Sequence, residues 1–493
     1  MSDERATDRL GQDLALALQA GDCLALYGDL GAGKSTLARA LIRCIAEITD
    51  LDVPSPTFTL VQSYDLRIRI AHFDLYRIGD PDELIELGLD EALEEGAVLI
   101  EWPEKARDFL PDDAIAVVLE EEDEGRRAQV SGPQAAMERI GRSLQVRSFL
   151  DRSGCGDADR QHYQGDASTR VYEKIRRKDG IDRVLMNAPK RLIGPVLKDG
   201  KRYAQIAHVA EDVRPFVAVG GFLQQAGFHT PEIFAQDLDA GFLLLEDLGG
   251  NGILDKQGKP IVDRWEAAID CLVALHRTKI PSNIALPDGP AHEIPPFDRD
   301  AMMIEVELLL SWFLPHKHGK EPQQDLKDRF HEVWNGLIDC LATAENSLVL
   351  RDFHSPNLLW QAGKRGISRV GLIDFQDAMI GPAAYDVASI VQDARVTVDP
   401  ALRNRLVWRY ERARKDDPSF DLPAFREALA IMQAQRATKI LGLFVRLKQR
   451  DGKPGYVRHL PRIEAYLNHA LAHPVLRPLH DCYTKAGIAL SES

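Results

Sequence analysis

The sequence predicts an α/β module with a central parallel sheet, followed by a bilobal α+β module. Three observations lead to this division. The chain has 493 residues, more than one hydrophobic core usually organises. Residues 1–142 carry 30 acidic and 14 basic residues, a formal charge of −16, whereas the remainder carries +1. Strand and helix patterns alternate in the first part, while the second part opens with strands and is mostly helical from Val262 onward.

These changes of charge and pattern predict where the domains divide. We expect a first domain at 1–145 and a second at 146–493, with an N-lobe at 146–250 and a C-lobe at 251–493. No Pro- or Gly-rich linker marks the division, so the boundary depends on the end of one short predicted helix.

Composition excludes several classes of protein. Hydrophobic residues make up 45% and charged residues 28% of the chain, which is typical of globular proteins and not of disordered or fibrous ones. The longest apolar runs, such as Phe242–Leu245, are far shorter than the roughly 20 residues that span a bilayer. With a charged N-terminus and no signal-peptide pattern, we expect a cytoplasmic protein without a membrane segment. Six cysteines without a CxxC pair predict reduced, mostly packed thiols.

The elements of the first module follow in order along the chain. Apolar runs predict strands and amphipathic spacing predicts helices. The predicted elements are a strand at 23–28, a helix at 36–48, strands at 69–76 and 97–102, a hairpin turned at 123–125, and a helix at 133–144. Alternating strands and helices predict a parallel sheet covered by helices.

Residues 28–35 read GDLGAGKS and fit the G-x4-G-K-[ST] pattern of a P-loop. The pattern follows a predicted strand and precedes a predicted helix, so backbone N–H groups and the helix dipole would surround a phosphate. Lys34 would reach the β and γ phosphates of ATP, and the Ser35 hydroxyl would ligate Mg²⁺. We therefore predict a P-loop NTPase domain. Its predicted nucleotide contacts are Gly28, Asp29, Leu30, Gly31, Ala32, Gly33, Lys34, Ser35 and Thr36.

Two carboxylates close neighbouring predicted strands of this module. Asp74 ends the run RIAHFD, and Glu101 ends the run AVLIE. Magnesium binding and ATP hydrolysis normally require carboxylates at such positions. Acids are also common at strand ends without any role in chemistry, so the residues alone leave both interpretations open.

Four motifs in order extend this interpretation: GDLGAGKST, PSPTFTLVQSY (54–64), HFDLYR (72–77) and LIEWPE (99–104). Together they resemble the TsaE family, the ATPase subunit of the bacterial machinery that makes threonylcarbamoyladenosine at position 37 of tRNAs. The resemblance implies that Ser35 and Glu101 ligate Mg²⁺, that Thr57 lies in a switch-like loop, and that Asp74 acts near the γ-phosphate as a catalytic residue. It also implies partner subunits of the TsaB/TsaD type, which hold the tRNA. The strongly acidic module agrees, because direct nucleic-acid binding needs basic surface.

The second module contains the R-D-x4-N spacing of a kinase catalytic loop at Arg351–Asn357. Asp352 would receive the proton of the acceptor hydroxyl as the catalytic residue, and Asn357 would hold a metal ion on the ATP phosphates. Seventeen residues beyond Asn357, an apolar run ends in Asp374, which matches a second metal-binding aspartate. This pairing predicts a protein-kinase-like fold.

The runs SLVLRDFHSPNLLW and GLIDFQDAMIGPAAYDVASI resemble the aminoglycoside phosphotransferase/choline kinase superfamily, over about residues 148–480. Upstream, GDASTRVY (165–172), VLMNAP (184–189) and FLLLEDLG (242–249) resemble the kinases that phosphorylate N-acetylmuramate and N-acetylglucosamine at the anomeric hydroxyl. The resemblance implies contacts with ATP in two segments. These are the phosphate loop Gly165, Asp166, Ala167 and Ser168, and the adenine-binding hinge Glu246, Asp247 and Leu248.

Two questions stay open at the level of sequence. The predicted third strand of the kinase lobe carries no lysine. Lys174, Arg183 or Lys190 could supply the missing phosphate contact, or metal alone could neutralise those phosphates. The acceptor could instead be an aminoglycoside, choline or another amino alcohol, or the module could be a nucleotide-binding scaffold without activity. Asp352, Asn357 and Asp374 argue against a scaffold, which needs none of them.

Overall fold

The structure is a computed structural model that describes residues 4–79, 87–122, 125–163, 170–192 and 194–488. The chain forms two compact units. The first contains Met1–Ala188 and Ile233–Asp247, and the second contains Pro189–Glu232 and Leu248–Ser493. The first unit therefore includes the whole predicted P-loop module and also a second, separate sheet.

A six-stranded sheet forms the centre of the predicted P-loop module. Its strands are β1 (Cys23–Tyr27), β2 (Val61–Tyr64), β3 (Ile70–Asp74), β4 (Ala97–Glu101), β5 (Ile115–Glu122) and β6 (Gly125–Ser131). Their order is β2-β3-β4-β1-β5-β6, with parallel pairing among the four central strands and antiparallel pairing at both edges. The strand predictions at 23–28, 69–76 and 97–102 are confirmed. Strands β5 and β6 pair as a hairpin would, and residues 123 and 124 of its predicted turn lie outside the described residues.

Helices cover both faces of this sheet. They are α1 (Glu4–Ala17), α2 (Lys34–Ala46), α3 (Leu89–Glu95) and α4 (Gln134–Arg152), with a 3-10 helix at Pro103–Phe109. One core cluster joins α1, α2 and α4 to the sheet through residues such as Leu14, Leu41 and Ile140. A second cluster on the opposite face includes Phe73 and Ile100. Burial on both faces explains why these strands read as continuous apolar runs.

Helix α4 is longer than the helix predicted at 133–144, and it runs across residue 145 without interruption. Its first half contributes Ile140 to the core of the six-stranded sheet. Its second half contributes Phe149 and Leu150 to a different core, which covers a five-stranded sheet. One helix thus supplies two hydrophobic cores. The division at residue 145 stays a prediction.

Seven strands follow α4 along the chain. They are β7 (Asp159–Tyr163), β8 (Val171–Arg176), β9 (Arg183–Asn187), β10 (Val196–Lys198), β11 (Lys201–Arg202), β12 (Ile233–Asp237) and β13 (Phe242–Glu246). Five of them form an antiparallel sheet in the order β12-β13-β9-β8-β7, which completes the first unit. Strands β10 and β11 pair as a hairpin in the second unit.

The second unit is mostly helical, as the sequence predicts from Val262. Its helices are α5 (Tyr203–Ile206), α6 (Arg214–Gln225), α7 (Val262–Arg277), α8 (Arg299–Leu308), α9 (Leu314–His318), α10 (Gln324–Cys340), α11 (Ala384–Val391), α12 (Pro400–Arg414), α13 (Leu422–Gln449), α14 (Leu460–Leu471) and α15 (Arg477–Lys485). A π-helical turn at Leu309–Phe313 joins α8 to α9.

Three short antiparallel pairs accompany these helices. Their strands are β14 (Asn283–Ile284), β15 (His292–Glu293), β16 (Asn346–Val349), β17 (Leu358–Trp360), β18 (Val370–Leu372) and β19 (Met379–Pro382), which pair as β14–β15, β16–β19 and β17–β18. All six cysteines are free thiols, and four of them are buried. Across the described ranges, no helix has the length and apolar character needed to cross a bilayer.

Candidate active sites

The P-loop joins β1 to α2 and depends on glycine at two positions. Gly28 has φ 142°, and a Cβ there would lie 2.5 Å from the Leu119 carbonyl oxygen. Gly33 has φ 104° and is the residue before the first turn of α2. Both angles disfavour residues with side chains. The loop therefore turns tightly and directs the N-terminus of α2 toward its own interior, the geometry that binds a phosphate.

Lys34 is the first residue of α2, and it is 4% exposed. Its ammonium donates to the Gly28 carbonyl oxygen at 2.5 Å and to the Asp29 carbonyl oxygen at 3.0 Å. The same nitrogen lies 3.5 Å from the ring centroid of Trp102, a cation–π contact that the sequence did not reveal. Burial lowers the pKa of Lys34, and the nearby Glu101 carboxylate opposes that shift.

Ser35 and Glu101 form a pair at the carboxyl end of the sheet. The Ser35 hydroxyl donates to Glu101 Oε2 at 2.7 Å, and His72 Nε2 lies 3.0 Å from Glu101 Oε1. Glu101 and His72 are each 1% exposed. A hydroxyl and a carboxylate are oxygen ligands that Mg²⁺ prefers, so this pair fits the metal site expected from the sequence. His72 was not predicted, and it would orient the carboxylate.

Asp74 lies beside Glu101, since the two residues are partners in the parallel register of β3 and β4. One carboxylate oxygen of Asp74 accepts hydrogen bonds from the hydroxyls of Ser55 and Thr57, each at 2.7 Å. The other accepts from the backbone N–H of Tyr76 at 3.1 Å. The structure thus brings the expected switch residue Thr57 to the predicted catalytic carboxylate.

In the second unit, strand pairing brings Asn357 and Asp374 together. Leu358 of β17 is the partner of Leu372 of β18, so the residues just outside the pair are neighbours. The Asn357 amide nitrogen lies 3.4 Å from Asp374 Oδ2, and it donates to the Asp352 backbone carbonyl at 3.0 Å. Gln376 holds the other Asp374 oxygen at 2.7 Å. An amide oxygen and a carboxylate suit Mg²⁺, which agrees with the predicted metal ligands.

Asp386 fixes the backbone of the loop that carries Asp352. Its carboxylate accepts hydrogen bonds from the backbone N–H groups of Leu350 at 2.6 Å and Arg351 at 3.0 Å. Burial raises the pKa of Asp386 to about 7, although these hydrogen bonds and the charge of Arg436 oppose the shift. A rigid loop limits the positions that Asp352 can take.

Asp352 is half-buried, and the charges of Lys439, Arg351 and Arg436 act on it. Burial alone would raise its pKa, but His354, Lys439 and Arg351 outweigh burial and lower it. The carboxylate is therefore ionised near neutral pH and able to accept a proton. His354 is not in the predicted catalytic set, and its Nε2 lies 3.3 Å from the Asn357 amide nitrogen.

A buried acid supports the cations next to Asp352. Glu305 of α8 is fully buried, and it receives hydrogen bonds from Arg351, Lys439 and Gln435, the latter two at 2.7 and 2.8 Å. Burial would raise the pKa of Glu305, but Lys439 and Arg351 reverse the effect and lower it to about 2. Glu305 was not predicted, because no motif contains it.

The predicted ATP contacts of the second module are only partly described. Gly165, Asp166, Ala167 and Ser168 lie outside the described residues. Glu246 ends β13 in the first unit. In that unit Asp247 pairs with Lys174 of β8 at 3.2 Å. Leu248 belongs to the second unit, where its carbonyl accepts a hydrogen bond from Gln361 at 2.9 Å.

The three basic residues left open by the sequence have different surroundings. Lys174 also lies 3.4 Å from Asp182. The guanidinium of Arg183 stacks at 3.6 Å over the ring of Phe234, and Lys190 is exposed. Of the three, Lys174 pairs with the predicted ATP contact Asp247, and Arg183 lies opposite the predicted ATP contact Glu246 in the pairing of β9 with β13.

Comparison with known proteins adds to this geometry. Residues 160–427, more than half of the chain, match the family described as "Phosphotransferase enzyme family". The chain belongs to this family. The phosphotransferase is 32% identical to an N-acetylmuramate/N-acetylglucosamine kinase from Caulobacter vibrioides over 344 residues, which cover 67% of this chain and 93% of that protein. A protein of the same description from Pseudomonas aeruginosa is 34% identical over 268 residues, 53% of this chain and 74% of that protein.

The N-terminal region of this phosphotransferase has relatives of its own. Residues 1–129 match the family described as "Threonylcarbamoyl adenosine biosynthesis protein TsaE". A TsaE protein from Rickettsia felis is 40% identical over 128 residues, 26% of this chain and 74% of that protein. Both resemblances stated from the motifs are therefore confirmed. The chain is an enzyme whose two families use ATP and Mg²⁺.

Proposed function

We propose that the chain carries two MgATP-dependent activities. The phosphotransferase region transfers the γ-phosphoryl group of ATP to the anomeric hydroxyl of N-acetylmuramate or N-acetylglucosamine, as in the recycling of cell-wall sugars. The TsaE-like region is the ATPase of the machinery that makes threonylcarbamoyladenosine at position 37 of tRNAs. The observation that supports the first activity is the juxtaposition of Asn357 with Asp374 beside the ionised Asp352.

In this proposal the residues of the phosphotransferase site divide the chemistry. Asp352 accepts the proton of the acceptor hydroxyl as that oxygen attacks the γ-phosphorus. Asn357 and Asp374 hold Mg²⁺, which neutralises charge on the phosphates when it is bound. An anomeric hydroxyl is more acidic than an ordinary alcohol, so a carboxylate with a low pKa can serve as the proton acceptor.

In the TsaE-like site, the P-loop and Lys34 bind the phosphates of ATP. Ser35 and Glu101 hold Mg²⁺, and Asp74 acts beside the γ-phosphate together with Thr57. The acidic region opposes direct contact with tRNA, because phosphate contacts need basic side chains. We therefore propose that subunits of the TsaB/TsaD type carry the tRNA.

The acceptor is tested with the full chain, MgATP and a panel of N-acetylmuramate, N-acetylglucosamine, choline, ethanolamine and kanamycin. Phosphorus NMR of the products identifies the esterified hydroxyl. A sugar 1-phosphate from either N-acetyl sugar supports the proposal. A sugar 6-phosphate, or turnover with choline or kanamycin alone, contradicts the acceptor but leaves the phosphotransferase family unchanged.

The tRNA role has a separate test. The full chain should support threonylcarbamoyladenosine formation when it replaces the ATPase subunit in a reconstituted reaction with TsaB/TsaD-type proteins and tRNA. Alone, it should show no tight tRNA binding at physiological salt. Tight binding that weakens steeply with salt would contradict the proposal that other subunits carry the tRNA.

A further inference from the structure

Four buried charged residues connect the TsaE-like region to the five-stranded sheet within the first unit. We call them the interface cluster: Asp13 of α1, Arg147 of α4, Arg160 of β7 and Glu173 of β8. They are 3%, 6%, 1% and 4% exposed. Asp13 lies in the range that matches the TsaE family, whereas Arg160 is the first residue of the phosphotransferase match.

Arg160 is the centre of the interface cluster. Its guanidinium makes two parallel hydrogen bonds to Glu173, at 2.7 and 2.8 Å, and donates to Asp13 Oδ1 at 2.6 Å. Arg147 approaches Asp13 from the other side, with Nε 3.0 Å from Oδ1 and 3.2 Å from Oδ2. Burial would lower the pKa of Arg160, but the carboxylates of Glu173 and Asp13 outweigh burial and raise it.

Further hydrogen bonds attach the same elements to one another. The Gln12 amide accepts from the Arg160 backbone N–H at 3.3 Å and donates to Asp159 at 2.9 Å. Ser143 of α4 donates to the Asp13 carbonyl at 2.7 Å. Cys44, near the end of the helix that begins with the P-loop lysine, lies 3.6 Å from the Arg160 carbonyl. Strand β7 is thus held by α1, α2 and α4.

The interface cluster has no net charge, and each of its members depends on the others. Removing one charge from such a buried set leaves another without a partner, which is unfavourable away from water. Asp13 is shared by both arginines, so its loss affects α4 and β7 together. The surrounding structure must then move to readmit water or to find new partners.

Such a movement would reach the predicted ATP contacts through β8. Glu173 faces the interface cluster, and the next residue, Lys174, points to the opposite face of the sheet. There Lys174 pairs with Asp247, which follows Glu246 at the end of β13. A shift of Glu173 therefore displaces Lys174 and its partner by way of one peptide unit.

We infer that Asp13, a residue of the TsaE-like region, is a positioning residue for phosphoryl transfer by the phosphotransferase region. It holds Arg160 and Glu173 in place, and through β8 it fixes the face of the sheet that contacts ATP. The inference rests on the proposed assignment of ATP to Glu246 and Asp247. It means that the fused TsaE-like region is a structural part of the kinase.

The test compares Asp13→Asn with a matched control in the full chain. Asp22→Asn is the control, because Asp22 makes two hydrogen bonds of 2.7 Å to Arg139 and both residues lie outside the five-stranded sheet. Asp13→Asn should raise the KM for ATP in sugar phosphorylation by about fivefold or more, with kcat and the KM for the sugar changed less than about twofold. Asp22→Asn should leave all three constants unchanged.

Product formation, and not ATP consumption, must be measured, because the TsaE-like site also hydrolyses ATP in this proposal. ATP hydrolysis without sugar should persist in Asp13→Asn, which shows that the P-loop region is folded. The inference would be overturned if the KM for ATP stayed unchanged while the kcat of sugar phosphorylation and the ATP hydrolysis without sugar fell together. That result would mean a general loss of folded protein.

Gln12→Ala is the second variant, because it removes contacts to β7 and one hydrogen bond from Arg147 while all four charges of the interface cluster remain. It should raise the KM for ATP by about twofold.

If the wild type phosphorylates none of the acceptors, the proposed function fails. ATP binding is then measured in the Lys34→Ala background. Weaker binding after Asp13→Asn in that background supports the inference, and equal binding overturns it.

Discussion

At the scale of single residues, the phosphotransferase site depends on backbone angles that side chains normally avoid. Arg351 and Asp374 have φ values of 70° and 61°, in the left-handed region. Such angles persist only where surrounding contacts enforce them. For Arg351 those contacts are the hydrogen bonds to Glu305 and from its N–H to Asp386. The strain lies directly beside the proposed catalytic aspartate.

Asp352→Asn should abolish phosphorylation of the acceptor while ATP binding survives. The amide cannot accept the hydroxyl proton, whereas Asn357 and Asp374 still hold the metal. We expect product formation to fall by about a thousandfold or more. Asp374→Ala should instead weaken productive MgATP binding itself. Calorimetric titration of MgATP in the Lys34→Ala background distinguishes them, and equal ATP affinity in both variants would contradict these roles.

His276 predicts how stability depends on pH. The residue belongs to α7 and is buried, and its Nδ1 lies 2.7 Å from the Tyr410 hydroxyl. Burial, together with the positive charge of Arg414, lowers its pKa to about 3. Unfolded histidine titrates near 6.5, so between pH 6.5 and about 3 only the unfolded state takes the proton. This contribution to stability is complete above pH 6.5 and is lost as the pH falls.

His276→Gln should therefore flatten the pH dependence of unfolding. Between pH 6 and pH 5 the wild type should lose about 1 kcal/mol more stability than the variant, since a full proton difference corresponds to about 1.4 kcal/mol per pH unit. Urea unfolding at the two pH values measures this. His480→Gln, at an exposed position on α15, is the control. Identical slopes for wild type and His276→Gln would contradict the expectation.

At the scale of elements, the long helix α13 packs against α8 at a glycine. A Cβ at Gly442 would lie 2.2 Å from the carbonyl carbon and oxygen of Leu308. Gly336 in α10 is also within a helix, but a Cβ there meets nothing within 4 Å. The same substitution therefore has opposite consequences at the two positions.

Gly442→Ala should destabilise the second unit by about 2 kcal/mol or more, because backbone atoms cannot move aside as a flexible side chain would. Gly336→Ala should stabilise it by up to about 1 kcal/mol through helix propensity. Thermal unfolding monitored by circular dichroism gives both values. A neutral Gly442→Ala would mean that α8 and α13 pack less closely than described.

Elements with regular apolar patterns could be predicted from sequence, and those without them could not. The strands around the P-loop were found because both faces are buried. Strand β7 reads DRQHY, with only one fully buried residue, Arg160, so no pattern indicated it. Helix α4 was predicted to end at residue 144, and the domain boundary was placed at that end, although Phe149 and Leu150 continue its apolar spacing.

The same distinction applies to the candidate sites. Asp352, Asn357 and Asp374 were found because their spacing is local and fixed by the chemistry of phosphoryl transfer. His72 is 29 residues from its partner Glu101, and Asp386 is 36 residues from Leu350. Such partners meet only through the sheet and loop topology. The roles of all these residues stay predictions until they are tested.

At the scale of the whole molecule, the proposed function places two nucleotide sites of different design on one chain. Lys34→Ala should remove ATP hydrolysis in the absence of sugar, because this ammonium acts only on phosphates held by its own loop. Sugar 1-phosphate formation should stay within about twofold of the wild type. Parallel assays of phosphate release and sugar phosphate measure both. A comparable loss of the two activities would contradict independent chemistry at the two sites.

The interface cluster also has a consequence for synthesis on the ribosome. Asp13 is made early, Arg147 follows much later, and Arg160 comes thirteen residues after Arg147. At 5–20 residues per second, that interval is about 1–3 s. During it, Arg147 is the cation available to Asp13, so α1 and α4 can close before β7 has emerged. The order of the two arginines along the chain thus allows the core of the six-stranded sheet to form while the buried Asp13 carboxylate is paired with Arg147. When β7 follows, Arg160 can bind the same carboxylate.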